Sequence, residues 1–269
     1  MNLDTSKPPP VCLTIAGLDP SGGAGIIADI KTFSAFGCFA AAAVSSVTFQ
    51  NTTGVFGAVH QTADSVRRQV DPVLDDYQVA AVKTGMLPTR EIIEEVARLI
   101  ESRKLRNIVV DPVVRSTSGF DLIDDAALAA VIEKLFRVAH IITPNLAEAE
   151  RITRMAIRSD SDIQKAARIM RAQGARNVLI KGGHLFDAAA KPRMARDYLF
   201  MGDEPTVFEA EFVETSATHG TGCTLAAAIA ANLALGKELV EAVARSKRFV
   251  TEAIRTAPML GKGNSPINV

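Results

Sequence analysis

The chain has 269 residues, 48% of them hydrophobic, enough to bury a large core in one α/β domain without a linker. Lys plus Arg number 30 and Asp plus Glu number 30, so the formal net charge is zero, and no global field favours nucleic acid or anionic lipid as a partner. Its three cysteines cannot all pair, which suits a reducing, cytoplasmic setting, and no run reaches the roughly 18 apolar residues of a membrane span.

Residues 1–10 are polar and proline-rich without an apolar centre, so they read as a flexible extended tail, neither signal peptide nor anchor. A single domain is expected over residues 11–269. Val11–Ala16 is a β-branched apolar run that empties into Gly17-Leu18-Asp19-Pro20-Ser21-Gly22-Gly23-Ala24-Gly25, a buried strand followed by a glycine loop. That loop lacks the Gly-Lys-Ser/Thr ending of a Walker loop and does not fit Gly-x-Gly-x-x-Gly. Ile26–Phe36 has helical spacing and stops at Gly37; Asp29 and Lys31 fall in its first turns, where solvated charges are the ordinary reading. Phe39–Gln50 reads as a buried strand ending in a polar loop, Gln50–Gly54, whose amides are turn formers or ligands.

Further along, a helix is expected over Asp64–Leu74 with Thr62 as its N-cap, a strand over Val79–Lys83 and a helix over Thr89–Arg103. Asn107–Val113 reads as a buried strand with Asp111 at its carboxyl end. Asp124–Phe136 has a helical pattern, Ala139–Ile142 that of a strand, and Thr143–Glu150 enters another helix. Asp162–Gln173 is a helix stopped by Gly174, and the strand Asn177–Lys181 runs into Gly182-Gly183-His184. Alternation from Ala195 to Val213 around Gly202-Asp203-Glu204-Pro205 predicts a hairpin near a sheet edge.

Strand and helix alternate, which predicts a mostly parallel sheet covered on both faces, with ligands off the carboxyl ends of its strands. The polar stretches 17–25, 50–51, 83–86, 111–113, 145–148 and 181–184 all fall at such ends. To these the sequence adds His219-Gly220-Thr221-Gly222-Cys223-Thr224, opening an alanine-rich helix. Small residues there let the first amides converge on an anion, although a Gly-x-Gly before such a helix also serves as a plain tight turn. The helix start is expected to make the Cys223 thiol more acidic than a free one.

Phosphoryl transfer needs charge neutralisation at the phosphates, an acceptor held in line and a group that takes the acceptor's proton. Each part has a candidate. Asp111 and Glu148 can organise Mg²⁺ directly or through water, Lys181 can supply positive charge, and the amides of Gly220, Thr221, Gly222 and Cys223 can face the transferring group. Each also has an ordinary reading: a strand terminator, a first-turn carboxylate, a strand-end charge. The four histidines, His184 and His219 among them, lack zinc-like spacing. Cys12 reads as strand core and Cys38 as a packed loop residue.

The segments Thr14-Ile15-Ala16-Gly17-x-Asp19-Pro20-Ser21-Gly22-Gly23-Ala24-Gly25-Ile26, Gln50-Asn51-Thr52, Lys83-Thr84-Gly85-Met86-Leu87, Asp111-Pro112-Val113, Thr143-Pro144-Asn145-Leu146-x-Glu148-Ala149, Lys181-Gly182-Gly183-His184 and His219–Thr224, in this order, resemble the hydroxymethylpyrimidine/phosphomethylpyrimidine kinases of thiamine biosynthesis. The resemblance implies a ribokinase-like fold, a three-layer α/β/α sandwich around a mostly parallel sheet, and commonly a homodimer. It implies ATP and Mg²⁺, and two phosphorylations: of 4-amino-5-hydroxymethyl-2-methylpyrimidine, then of its monophosphate to the diphosphate. Position by position, it carries Gly17, Asp29, Gln50, Met86, Val113 and Cys223 to the pyrimidine pocket, with Asp29 accepting a hydrogen bond from an amino group. Asp111, Asn145, Glu148, Lys181, Thr218, Gly220 and Gly222 go to the ATP and Mg²⁺ side, and Cys223 stands where many sugar-kinase relatives carry an Asp base. Ile27, Phe49 and the basic loop Arg115-Ser116-Thr117-Ser118-Gly119 depart from the common pattern and bear on fine substrate preference.

Two other readings compete with this one. A pyridoxal or pyridoxine kinase of the same Cys-containing branch takes a similar ring alcohol, and a non-catalytic sensor keeps the pocket without turnover. Gln50 with Asp29 leans towards an aminopyrimidine, and the intact set Asp111, Glu148, Lys181 and Cys223 leans away from a sensor.

Overall fold

A computed structural model describes residues 8–115, 119, 121–183 and 193–269. His184, residues 116–118 of the basic loop and residues 1–7 of the proposed tail lie outside the described residues. Nine strands form one sheet in the order β3-β2-β1-β4-β5-β6-β7-β8-β9. Its centre is parallel: β1 (Val11–Leu18), β2 (Phe39–Asn51), β4 (Val79–Thr84), β5 (Ile108–Val110), β6 (Ile141–Ile142) and β7 (Val178–Gly183) all run the same way. Both edges are antiparallel, with β3 (Gly54–His60) on one side and the hairpin β8 (Met194–Phe200) and β9 (Pro205–Glu211) on the other.

Side chains of a strand alternate between faces, and here each face finds its own core. Leu13, Ile15, Val82, Ile108, Val110, Ile142, Val178 and Ile180 pack beneath α2 (Ala63–Asp76), α3 (Arg90–Ser102), α4 (Asp125–Ala130), α5 (Leu146–Thr153) and α6 (Asp160–Ala172). Cys12, Ala81, Val109, Ile141 and Leu179 pack against α1 (Gly25–Ala35), α7 (Thr221–Ala234) and α8 (Leu239–Arg255). The three-layer sandwich expected from the sequence is therefore the observed architecture. Helix starts follow the local chemistry: Thr62 accepts from the Ser65 amide, Thr89 from that of Ile92, and Asn145 with Glu148 closes a reciprocal capping box at α5.

The structure differs from the expected elements in several places, among them β5, which takes only Ile108–Val110 of the run read as a strand over 107–113. Gln50 and Asn51 are the last residues of β2 and not loop, because β2 turns back at Thr52-Thr53 into β3, which the polar run concealed. The segment read as one helix over 124–136 is α4 followed by a π turn over Val131–Leu135. Finally, α8 was not anticipated, although its Leu239, Ala242 and Val243 line the core and Phe249 stacks on Phe36 with centroids 4.9 Å apart. No described helix is long and apolar enough to cross a membrane.

Candidate active site

Because β2, β1, β4, β5, β6 and β7 are parallel neighbours, their carboxyl ends form one rim, and the sequence-predicted residues occupy it in spatial order. Gln50 is the next-to-last residue of β2, Gly17 lies near the end of β1 and Met86 follows β4. Asp111 and Val113 follow β5, Asn145 and Glu148 follow β6, and Lys181 lies in β7. The ring-side and nucleotide-side candidates thus take opposite halves of the same rim.

On the ring side, a Cβ on Gly17 would stand 3.1 Å from the Met86 Sδ, so the glycine lets the thioether close over β1. Ser45 donates to the Met86 carbonyl over 2.6 Å and fixes that turn. Gln50 is half-buried, and its amide has no hydrogen-bond partner among the described residues. Asp29 departs from expectation. Its carboxylate is fully enclosed, with Oδ2 accepting from Lys83 Nζ over 2.8 Å and from Thr14 Oγ1 over 2.6 Å. A side chain with no exposed surface cannot accept from a substrate amino group without rearrangement, so its place is behind the pocket wall.

The candidates expected on the nucleotide side are carboxylates and one amine. Lys181 Nζ donates to Asp111 Oδ1 over 3.0 Å, and Thr143 Oγ1 donates to the same oxygen over 2.9 Å, which leaves Oδ2 open. Burial strips water from Glu148 and pushes its carboxyl up to about 7, against the pull of the Lys181 charge and with a further push from Asp111. Its Oε2 accepts from the Asn145 amide over 2.8 Å.

Across this rim lies the loop that opens α7. Gly220 adopts φ 85°, and a Cβ there would collide with the Gly23 carbonyl, so only glycine lets the two loops touch. Thr221 Oγ1 donates to the exposed Thr218 carbonyl over 3.1 Å, which tightens the turn. The amides of Gly222 and Cys223 have no acceptor among the described residues. A Cβ on Gly222 would stand 3.2 Å from Lys181 Nζ and 3.8 Å from Asp111 Oδ2. The glycine-flanked loop and the carboxylate–lysine cluster, distant in sequence, are therefore direct neighbours.

The expected acidity of Cys223 is reversed. Burial pushes the half-buried thiol up to about 11; Lys83 and the Gly25 amide pull it down, while Asp29 and Asp111 push it further up. Desolvation outweighs the helix start.

Two features escaped the sequence. His219 Nε2 lies 2.7 Å from Asp19 Oδ2, and the Asp19 carboxylate also accepts from the amides of Ser21, Gly23 and Ala24. The carboxyl-terminal segment, in turn, joins two walls: the Asn264 amide donates to the Thr52 carbonyl over 2.8 Å, and the His219 amide donates to the Ser265 carbonyl over 3.2 Å. His219 bears no zinc-like spacing signal, and only the burial of its ring against the first loop gives it a role.

Among the described residues no three His, Cys, Asp or Glu side chains converge as a metal cage. The donor set still fits Mg²⁺. The open Asp111 oxygen and Glu148 are hard ligands, and this ion commonly takes one or two carboxylates and completes its shell with water and phosphate oxygens. Gly222 leaves a side-chain-free cradle beside Asp111 and Lys181.

Residues 19–268 match the model of a family described as phosphomethylpyrimidine kinase. The chain is 41% identical to the hydroxymethylpyrimidine/phosphomethylpyrimidine kinase of Haemophilus influenzae over 257 residues, 95% of each protein. It is 43% identical to the thiamine biosynthesis bifunctional protein ThiED of Geobacter sulfurreducens, covering 95% of this chain but 51% of that longer protein. Among solved structures, the phosphomethylpyrimidine kinase of Clostridium difficile superposes with a TM-score of 0.79 at 40% identity, covering 91% of this chain and 99% of that one. The ADP complex of Bacillus subtilis pyridoxal kinase gives 0.86 at 36% identity, covering 97% of both. With its rim so arranged and nearly its whole length matched, the chain belongs to the phosphomethylpyrimidine kinase family and is a kinase.

Proposed function

We propose that this kinase transfers the terminal phosphoryl group of MgATP to the hydroxymethyl group of 4-amino-5-hydroxymethyl-2-methylpyrimidine, and then to the resulting monophosphate, supplying thiamine biosynthesis. The observation that carries the reading is the junction of the Gly220–Cys223 loop with Lys181 and Asp111 on one strand rim. Gly17, Met86 and Val113 offer apolar contact to a flat ring, and the unpartnered Gln50 amide offers one donor and one acceptor to a ring nitrogen and its amino group.

In this reading the amides of Gly222 and Cys223 and the Lys181 ammonium stabilise charge that grows on the transferring phosphoryl oxygens. Asn145 positions Glu148, and Asp111 and Glu148 would hold Mg²⁺, which would neutralise phosphate charge. The acceptor oxygen forms its bond to phosphorus as the bond to the ADP oxygen breaks, and Cys223, in the small thiolate fraction that burial leaves it, takes the hydroxyl proton. A cytoplasmic homodimer accords with the resemblance and with free cysteines at 12, 38 and 223.

Pyridoxal kinase activity is the second reading, favoured by the superposition on solved pyridoxal kinases, one of them in complex with AMP-PCP and pyridoxal. Turnover decides between them. Purified protein with MgATP is expected to phosphorylate the aminopyrimidine alcohol at least tenfold faster, by kcat/KM, than pyridoxal. Pyridoxal phosphorylated with the pyrimidine untouched reverses the order, and ligand binding without ADP release from either alcohol leaves only a sensor.

A further inference from the structure

The turn between β2 and β3 closes without Thr52. Asn51 Oδ1 accepts from the Thr53 amide over 2.8 Å and from Thr53 Oγ1 over 2.6 Å, which shapes the turn locally. Thr52 engages the carboxyl-terminal segment instead. Its Oγ1 accepts from the amides of Lys262 over 3.2 Å and Gly263 over 3.4 Å, and its carbonyl accepts from the Asn264 amide over 2.8 Å. Two glycines permit this fit, since a Cβ on Gly261 would collide with the Thr52 side chain and one on Gly263 with the Thr52 carbonyl. Beyond Asn264 the segment is fixed by other partners. Ser265 is buried, its Oγ accepts from the Leu260 amide over 2.9 Å and its carbonyl from the His219 amide over 3.2 Å, and the Asn268 amide donates to the Ala253 carbonyl over 3.0 Å. The segment is thus a fixed post to which the turn is tied.

What the tie steadies is Gln50, two residues before Thr52. The ladder between β1 and β2 ends at Val47, and the last contact with β1 is Thr48 Oγ1, which donates to the Leu18 carbonyl over 2.9 Å. From there β2 overhangs, paired with the edge strand β3 alone. The β2–β3 ladder also slips at this point: Phe49 faces Gly57 and Gln50 faces Val55, so Phe56 is left over. Such a bulge re-aims the neighbouring side chains. The Gln50 amide has no hydrogen-bond partner among the described residues to hold it, so its aim depends on the backbone of the overhang. We propose that Thr52 is a positioning residue for the acceptor ring: its hydroxyl ties the overhanging turn to the carboxyl-terminal segment and so fixes the direction of the Gln50 amide. The inference rests on Gln50 as a ring contact in the proposed function. The loop that carries Cys223 keeps its own tie to Ser265 when Thr52 is changed, so the loss falls on the ring and not on the nucleotide.

The test compares KM values of the full chain for the aminopyrimidine alcohol and for MgATP. Thr52→Val keeps the shape and removes the acceptor. It is expected to raise the pyrimidine KM about tenfold while kcat and the MgATP KM stay within about twofold, and Thr52→Ser is expected to restore the native pyrimidine KM. Gln50→Ala is expected to raise the same KM, and Thr52→Val added to it to raise it no further, because both act through one amide. A residue that serves stability alone lowers Tm and moves neither KM. A native pyrimidine KM in folded Thr52→Val, an equal rise for both substrates, or losses that multiply in the double variant overturn the proposal. Should Thr52→Val fail to fold, Gly261→Ala, whose methyl pushes the segment off Thr52, decides by the same pattern, and a native pyrimidine KM there overturns it equally. Failure of the pyrimidine reading shows separately, in the native chain, as no turnover of that alcohol, and the same comparison then runs on pyridoxal.

Discussion

Asp19 and His219, 200 positions apart in sequence, meet across 2.7 Å. The same carboxylate gathers the amides of Ser21, Gly23 and Ala24, so one side chain shapes the first glycine loop and pins it to the loop that carries Cys223. Asp19→Ala is expected to lower kcat by about tenfold or more through misplacement of the Gly25 and Cys223 groups. It is also expected to cost about 2 kcal/mol or more of stability, since buried donors lose their acceptor. Steady-state kinetics and denaturant unfolding check both, and native kcat in this variant contradicts the role.

The same pair sets a pH dependence. Burial opposes ionisation of Asp19, but hydrogen bonds from His219 and Ser21 outweigh it and hold the carboxyl below its ordinary value. A depressed folded-state value contributes stability that is present above the unfolded value of about 3.9 and is lost as pH falls through the folded one. The Tm difference between the native chain and Asp19→Asn is therefore expected to be constant near neutrality and to shrink below about pH 4. A difference that widens on acidification contradicts this.

Cys223→Ala separates the two phosphorylations. The alcohol must lose a proton, whereas a phosphate monoester, with a second pKa of about 6, already presents an ionised oxygen at neutral pH. The first step is expected to fall by about 100-fold and the second by much less. Quench-flow or coupled assays with each acceptor measure the ratio, and equal losses in both steps assign the thiol to positioning instead.

Two glycines of one loop are expected to fail differently. Gly220→Ala meets the Gly23 carbonyl backbone in a left-handed conformation, so it is expected to destabilise the chain and abolish turnover together. Gly222→Ala meets only the far end of the Lys181 side chain and the edge of Asp111, so Tm is expected to stay nearly native while the Kd for MgADP rises about tenfold. Calorimetric titration with thermal unfolding distinguishes the two.

Lys181→Met leaves Asp111 and Glu148 without their shared cation and is expected to lower kcat by about 100-fold or more, with the pyrimidine affinity little changed. A change confined to pyrimidine KM moves Lys181 to the ring side.

Much of this is legible in the sequence alone. The runs at 11–16, 79–83 and 177–181 form strands, and the run at 107–113 holds the shorter β5, because β-branched residues alternate or cluster between turn residues, and their shared polarity at the carboxyl ends points to the rim. Local patterns do not carry β3, because a two-residue turn at Thr52-Thr53 looks like the start of a loop. Nor do they carry the pairs Asp29–Lys83 and Asp19–His219, which exist only once α1, β4 and the two glycine loops are brought together. Cys223 is the instructive error: the helix start that favours its thiolate is visible in sequence, whereas the desolvation that opposes it depends on which elements cover the sulfur.

The ties from Asn264 to Thr52 and from Ser265 to His219 make the carboxyl-terminal segment a brace for both halves of the cleft. A proteolytic nick beyond Pro258 leaves every reacting group in the chain and still frees the Thr52 turn and the His219 loop. Turnover is thus a more sensitive gauge of an intact tail than mass or solubility, and a purification handle belongs at the amino end.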